Sequence, residues 1–170
     1  HQMKKLFPLL LTLLLISSCE DSIEVTTTTN INESASVTIL ETNGTAINFN
    51  EVIEGDLNQL VSNFNSINDI TIDSLSYTFA NVTGNENAVI TSATIEINAT
   101  TVAVISNINI AQEALNGSVF EITDTAVLDQ LETIFLNNSS VTIQLSGMAI
   151  SDEGDVNFDL EFSMQLTAAF

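Results

Sequence analysis

Val156-Asn157-Phe158-Asp159-Leu160-Glu161-Phe162-Ser163-Met164-Gln165-Leu166-Thr167-Ala168 alternates an apolar residue with a polar one at every step. Successive side chains of a strand point to opposite faces, so this spacing predicts one dry face and one wet face. That is how a strand of a half-buried antiparallel sheet reads. Similar alternation runs through Val89, Thr91, Ala93, Ile95 and Ile97, and through Val102, Val104, Ser106, Ile108 and Ile110. Shorter strands are expected at 36–41, 45–49 and 118–122. Turns fall at Asn43-Gly44, Gly84-Asn85, Asn116-Gly117 and Glu153-Gly154-Asp155.

Two segments have helical spacing instead. Leu57, Leu60, Val61 and Phe64 recur at i, i+3, i+4 and i+7, with Asp56 placed to cap them. Val127, Leu128, Leu131, Ile134 and Phe135 do the same after Asp124, and Asn137-Asn138 end the run. These helices open an internal repeat at an offset of 71: Leu57-Asn58-Gln59-Leu60 against Leu128-Asp129-Gln130-Leu131, Phe64 against Phe135, and Ile70-Thr71-Ile72 against Val141-Thr142-Ile143. The same offset carries 89–97 onto 160–168 with its parity intact. Each copy's first strand is expected to change face at a β-bulge, between Ile72 and Leu75 and between Leu145 and Met148, where Gly147 suits one. The fold class that follows is α+β but mostly β. It is an antiparallel sheet or sandwich of about seven strands with two amphipathic helices and a helix–strand–strand repeat.

The start of the chain has a different character. Met3-Lys4-Lys5 is a short cationic segment, preceded only by His1 and Gln2, and Leu6 to Ile16 is an apolar run. That run is too short to span a bilayer, which takes roughly 20 residues. Ile16-Ser17-Ser18-Cys19 follows at once and resembles the lipobox of bacterial lipoproteins. The resemblance implies a signal peptide at 1–18, cleavage before Cys19 and diacylglycerol on its sulfur, so the chain is anchored to a membrane, not threaded through it. Glu20-Asp21 resembles the acidic export signal of Bacteroidota surface lipoproteins, which implies the outer membrane and its outer face. Residues 19–34 are then expected to be a lipidated tether, within which an early strand is possible, and 35–170 a single β-rich domain. Cys19 is the only cysteine, so the mature chain has no disulfide and no thiolate metal site.

Charge narrows the function further. Both lysines and the one histidine precede Cys19, and all 22 acidic residues follow it, so the mature side chains sum to −22. Such a surface repels phosphate backbones, which excludes nucleic-acid partners. The carboxylates are dispersed among 45% apolar residues, as a folded acidic surface requires, and screening by salt should stabilise it. Triad acyl transfer lacks its histidine, Schiff-base chemistry its lysine, and phosphoryl transfer its phosphate-binding cations.

What remains is carboxylate chemistry. A pair of acids could hydrolyse a glycoside, and Glu96, Asp159 and Glu161 are the candidates, although they read first as the wet face of a sheet. Asp152-Glu153-Gly154-Asp155 is dense in hard oxygen ligands, so Asp152, Asp155 and Asp159 are weak calcium candidates, set against the reading of a solvated hairpin turn. They do not follow the EF-hand spacing. Asp21-Ser22-Ile23, Asp73-Ser74-Leu75 and Asp124-Thr125-Ala126 look like the Asp-Ser/Thr-aliphatic sites of Bacteroidota O-glycosylation, which makes Ser22, Ser74 and Thr125 possible acceptors. The expected function is a non-enzymatic, surface-exposed lipoprotein that meets a protein partner or serves the envelope. The alternatives are a glycan-binding module of a surface uptake system, for which Tyr77 is the sole tyrosine and no tryptophan exists, and a carrier of lipid or a small apolar ligand.

Overall fold

The computed structural model describes residues 25–56, 67–138 and 140–170. In chain order the elements are β1 (Thr26–Ile39), β2 (Ile47–Asp56), β3 (Asp69–Gly84), β4 (Val89–Ile97), β5 (Thr100–Asn109), α1 (Ile110–Asn116), β6 (Val119–Glu121), α2 (Thr125–Asn137), β7 (Ser140–Ile150) and β8 (Val156–Ala169). The strands form two four-stranded sheets, β1-β8-β3-β6 and β2-β7-β4-β5, with every pairing antiparallel. This order, in which the chain changes sheet at every connection except the one between β4 and β5, is a jelly-roll sandwich.

The C-terminal alternation does what its spacing requires. β8 is paired on both sides, with β1 and β3, and Val156, Phe158, Leu160, Phe162, Met164, Leu166 and Ala168 are all buried between the sheets. β1 begins at Thr26, inside the segment expected to be a tether, because β8 is long enough to pair with it as far as Ala169. The helix expected over Leu57–Phe64, like the lipobox, lies outside the described residues.

The repeat has a topological counterpart. Advancing each strand of the first sheet by four turns β1-β8-β3-β6 into β5-β4-β7-β2, which is the second sheet read from its other edge. Asp69, the first residue of β3, precedes Ser140, the first of β7, by the repeat offset. Ile70 and Ile72 are buried in one copy, as Val141 and Ile143 are in the other.

Three local expectations change. In β3 the register slips between Ile72 and Ser74, as expected, but β7 keeps its parity: Val141, Ile143, Leu145 and Ala149 are buried and Met148 is 40% exposed. The second bulge lies across the ladder in β4, between Ile90 and Ser92, so Ile90 and not Thr91 faces the core. Gly147 serves that bulge from the opposite strand, since a Cβ there would collide with the Ser92 carbonyl oxygen and the Ala93 side chain.

β5 also changes face. A slip between Ile95 and Glu96 makes Val102 the extra residue, so Ile105 is buried and Val104 is turned outward. Ile110 leaves the strand and opens α1, capped by Asn109, whose side chain accepts the Gln112 N–H at 2.8 Å. Asn116-Gly117 ends that helix instead of turning a hairpin: Gly117, at φ 63°, directs its N–H to Ala114 and that of Ser118 goes to Glu113.

α2 starts at its expected cap. Asp124 accepts from the Ala126 and Val127 N–H groups, and Leu131 and Phe135 enter the core.

Candidate functional site

The acidic turn between β7 and β8 is a staple between hairpins. Asp152 accepts the Thr42 hydroxyl at 2.8 Å and the Gly44 N–H, and Asp155 accepts the Glu41 N–H at 2.7 Å. Ser151, fully buried, donates to the Gly154 carbonyl at 2.6 Å and accepts from the Asn85 side chain at 2.9 Å. The turns after β1, β3 and β7 are thereby laced together. Asp159 is not part of this cluster. Its carboxylate takes hydrogen bonds from Ser36 at 2.6 Å and Asn81 at 2.7 Å on the wet face of β8, and these hold it below the usual carboxylate range. Among the described residues no three His, Cys, Asp or Glu side chains are gathered to hold a metal ion.

The fold separates Glu96 from the other two glycosidase candidates. Asp159 and Glu161 point outward from the first sheet, whereas Glu96 points outward from the second, so the whole core lies between them. Packed sheets stand about 10 Å apart before the outward side chains are counted. Ser74 lies exposed beside the β3 bulge, and Thr125 is exposed as the first residue of α2. Cys19 and Ser22 lie outside the described residues.

A space between the sheets, bounded by Leu75, Ile97, Val141 and Met164 among others, has a volume of about 20 Å³. That is room for about one water and far below the roughly 300 Å³ at which ligand pockets begin. Tyr77 is buried too. Its ring stacks on Phe120 with centroids 4.9 Å apart, and burial pushes its hydroxyl above the ordinary value. It offers no flat exposed face to a sugar.

A different feature stands out at the side of the sandwich. β5 ends the second sheet and pairs with β4 alone, and the three-residue β6 ends the first sheet. Between these two edges runs a groove of about 530 Å³ lined by Val102, Val104, Val119, Phe120, Glu121 and Asp124, with Tyr77 at its floor. Val104 is 74% exposed and Val119 58%. β5 has no charged residue and no proline, and the bulge at Val102 is what interrupts its edge. The sequence carried part of this signal, in the uncharged run Thr100–Asn109. It was obscured because the alternation through Val102 and Val104 reads as core-facing.

These features define a jelly-roll β-sandwich with an open edge groove. No family model matches the chain, and no curated protein matches it. Among solved structures it is similar to a decameric BFDV capsid protein, with 11% identity, a TM-score of 0.40, and coverage of 85% of this chain and 99% of that one. It is also similar to the infectious bursal disease virus VP2 subviral particle, with 13% identity, a TM-score of 0.29, and coverage of 87% of this chain and 37% of that one.

Proposed function

We propose that this chain is a lipid-anchored, non-enzymatic interaction module that meets a protein partner at the outer face of the outer membrane. The anchor is the Cys19 sulfur, and the interaction surface belongs to the sandwich. The observation that carries the reading is the edge of β5, which pairs with β4 alone, with a groove of mixed polarity beside it. Strand edges of this kind recognise partners by lending them backbone hydrogen bonds, with pockets for alternate side chains. Glu96, which points from the sheet opposite Asp159 and Glu161, supports contact over turnover, and the small space at Leu75 and Met164 favours it over ligand carriage.

The test is chemical crosslinking on intact cells carrying the anchored protein, followed by capture and mass analysis. The expected result is a mature chain that begins at Cys19 with acyl mass, joined to a discrete surface protein. A chain that still begins upstream of Cys19, or one shed into the medium without acyl mass, would overturn the anchoring. Crosslinks to no protein at all would overturn the interaction role.

A further inference from the structure

We propose that Asn43-Gly44 is a self-modifying turn: the Gly44 nitrogen closes on the Asn43 side chain and expels ammonia, with Asp152 as the base that receives the Gly44 proton. The inference is independent of the lipid anchor and of the β5 edge.

Three observations converge on it. First, Asn43 and Gly44 form the tip of the β1–β2 turn, which the Thr45 N–H closes on the Thr42 carbonyl at 3.3 Å. Both stand at positive φ, 50° and 82°, as an Asn-Gly pair does in a tight turn. Asn43 is exposed, and a Cβ on Gly44 would meet no atom within 4 Å. A ring that joins the two residues therefore has room to form.

Second, the Gly44 N–H donates to the Asp152 carboxylate. The attacking nitrogen thus already faces a base within hydrogen-bond reach, which is the first requirement of general-base catalysis. The same carboxylate oxygen accepts the hydroxyl of the buried Thr42 at 2.8 Å, and that bond holds it in place.

Third, the other Asn-Gly pair is arranged differently. The Asn116 side chain accepts the Gln112 amide at 3.0 Å, and the Gly117 N–H is given to the Ala114 carbonyl, which is no base.

The step balances without a cofactor. A bond forms between the Gly44 nitrogen and Asn43 Cγ while the Gly44 proton passes to Asp152. The bond from Cγ to the amide nitrogen breaks, and that nitrogen leaves as ammonia with the proton from Asp152. Water then opens the ring at either carbonyl, leaving aspartate or isoaspartate at position 43. While the ring is closed the Gly44 nitrogen has no hydrogen, so Asp152 loses a donor. After it opens, a new carboxylate joins Glu41, Asp152 and Asp155 at this end of the sandwich, and no cation follows Cys19 to neutralise it. The staple between the β1–β2 and β7–β8 turns is thereby loosened in one direction, with age and without an enzyme.

The protein purified from cells is aged at mildly alkaline pH, and peptide mass mapping follows conversion at each Asn-Gly pair. Asn43 is expected to convert at least about tenfold faster than Asn116, a barrier difference of about 1.4 kcal/mol. Asp152→Asn should slow Asn43 by about tenfold or more. Asp155→Asn removes the same charge from the same turn, together with its bond from the Glu41 N–H, and should leave the rate within about twofold. Aged protein, separated by its extra charge, should melt below fresh protein, and Asn43→Gln protein aged alongside should not change. Circular dichroism verifies that the variants fold. The comparison of Asn43 with Asn116 is made in the native chain and needs no variant.

Equal rates at the two pairs, or no conversion at Asn43, would overturn the proposal. So would an Asp152→Asn rate at or above the native one, which would mean that the hydrogen bond shields the nitrogen. Equal slowing by both aspartate variants would reduce the effect to local charge and overturn the role of Asp152. Aged protein that melts with the fresh would overturn the loosening.

Discussion

The carboxylate of Glu132, on α2, accepts the backbone N–H of Ile72 at 2.8 Å, immediately before the β3 register slip at Asp73. β6 pairs with β3 only from Ser76 to Thr78, so the edge of β3 near Ile72 has no strand beyond it. A helix side chain takes the place of the absent strand, and it thereby fixes α2 against the sandwich while Leu131 and Phe135 enter the core.

Removing that acceptor should loosen the helix. Glu132→Ala is expected to destabilise the domain by about 1–3 kcal/mol, the usual cost of leaving a part-buried donor without its partner. Glu132→Gln should recover most of the loss, because the amide oxygen can accept the same N–H. Urea unfolding of the three proteins checks this, and identical midpoints would show that the contact contributes nothing.

Gly147 is expected to tolerate no side chain. It pairs with Ala93 where β4 carries its bulge, and any Cβ would press on backbone and on a buried methyl. Gly147→Ala should cost about 1–3 kcal/mol by overpacking. Gly154→Ala is the comparison, because its Cβ would meet no atom, leaving only the strain of its φ of 114°. Thermal melts should rank Gly147→Ala as the less stable; the reverse order would mean that β4 can shift at little cost.

Asp152 ties the β1–β2 turn to the β7–β8 turn through Thr42 and Gly44. Asp152→Ala should lower the melting temperature by the same amount in chelator and in millimolar calcium, since the carboxylate is engaged by protein donors. A loss seen only in calcium would mean that the turn holds the ion, and would revive Asp152 and Asp155 as ligands.

Acid should selectively remove one contribution. Hydrogen bonds from Ser36 and Asn81 hold Asp159 below its ordinary value of 3.8. A group depressed on folding stabilises the folded state above its unfolded pKa, and that contribution is lost as pH falls through the folded value. The stability difference between the native sequence and Asp159→Asn should therefore be constant near neutrality and shrink below about pH 4. The effect is small because the carboxylate is exposed, and it is best read at about 0.15 M salt, where the repulsion of the acidic body is screened. A gap that widens in acid would contradict the assignment.

Salt itself should stabilise the fold. With no cation in the described chain, all long-range electrostatics are repulsive, and screening relieves them. Melting temperature should rise from low to moderate sodium chloride, then level off. A flat or falling curve would mean that the carboxylates are too dispersed to matter.

Alternation alone was enough to find β8, because it is paired on both sides and its inward face is apolar without interruption. The Asp124 cap and the spacing of Leu131 and Phe135 made α2 legible for the same local reason. The β3 bulge was legible from a break in parity, but its counterpart was assigned to the wrong strand. A bulge belongs to a pair of strands, and composition does not say which member carries the extra residue. β5 failed in the same way. Two parities fit Val102–Ile110, and its bulge at Val102 chose the one that leaves Val104 in water.

Sequence by itself determined the period of the strands, the similarity at an offset of 71, and the absence of any cation after Cys19. These are properties of residue type and local spacing, and they survive without neighbours. Which strands end the sheets, which carboxylates share a face, and where a groove stays open were decided only by tertiary structure. They depend on pairing between residues far apart in the chain, and a single slip in register moves a side chain from core to solvent.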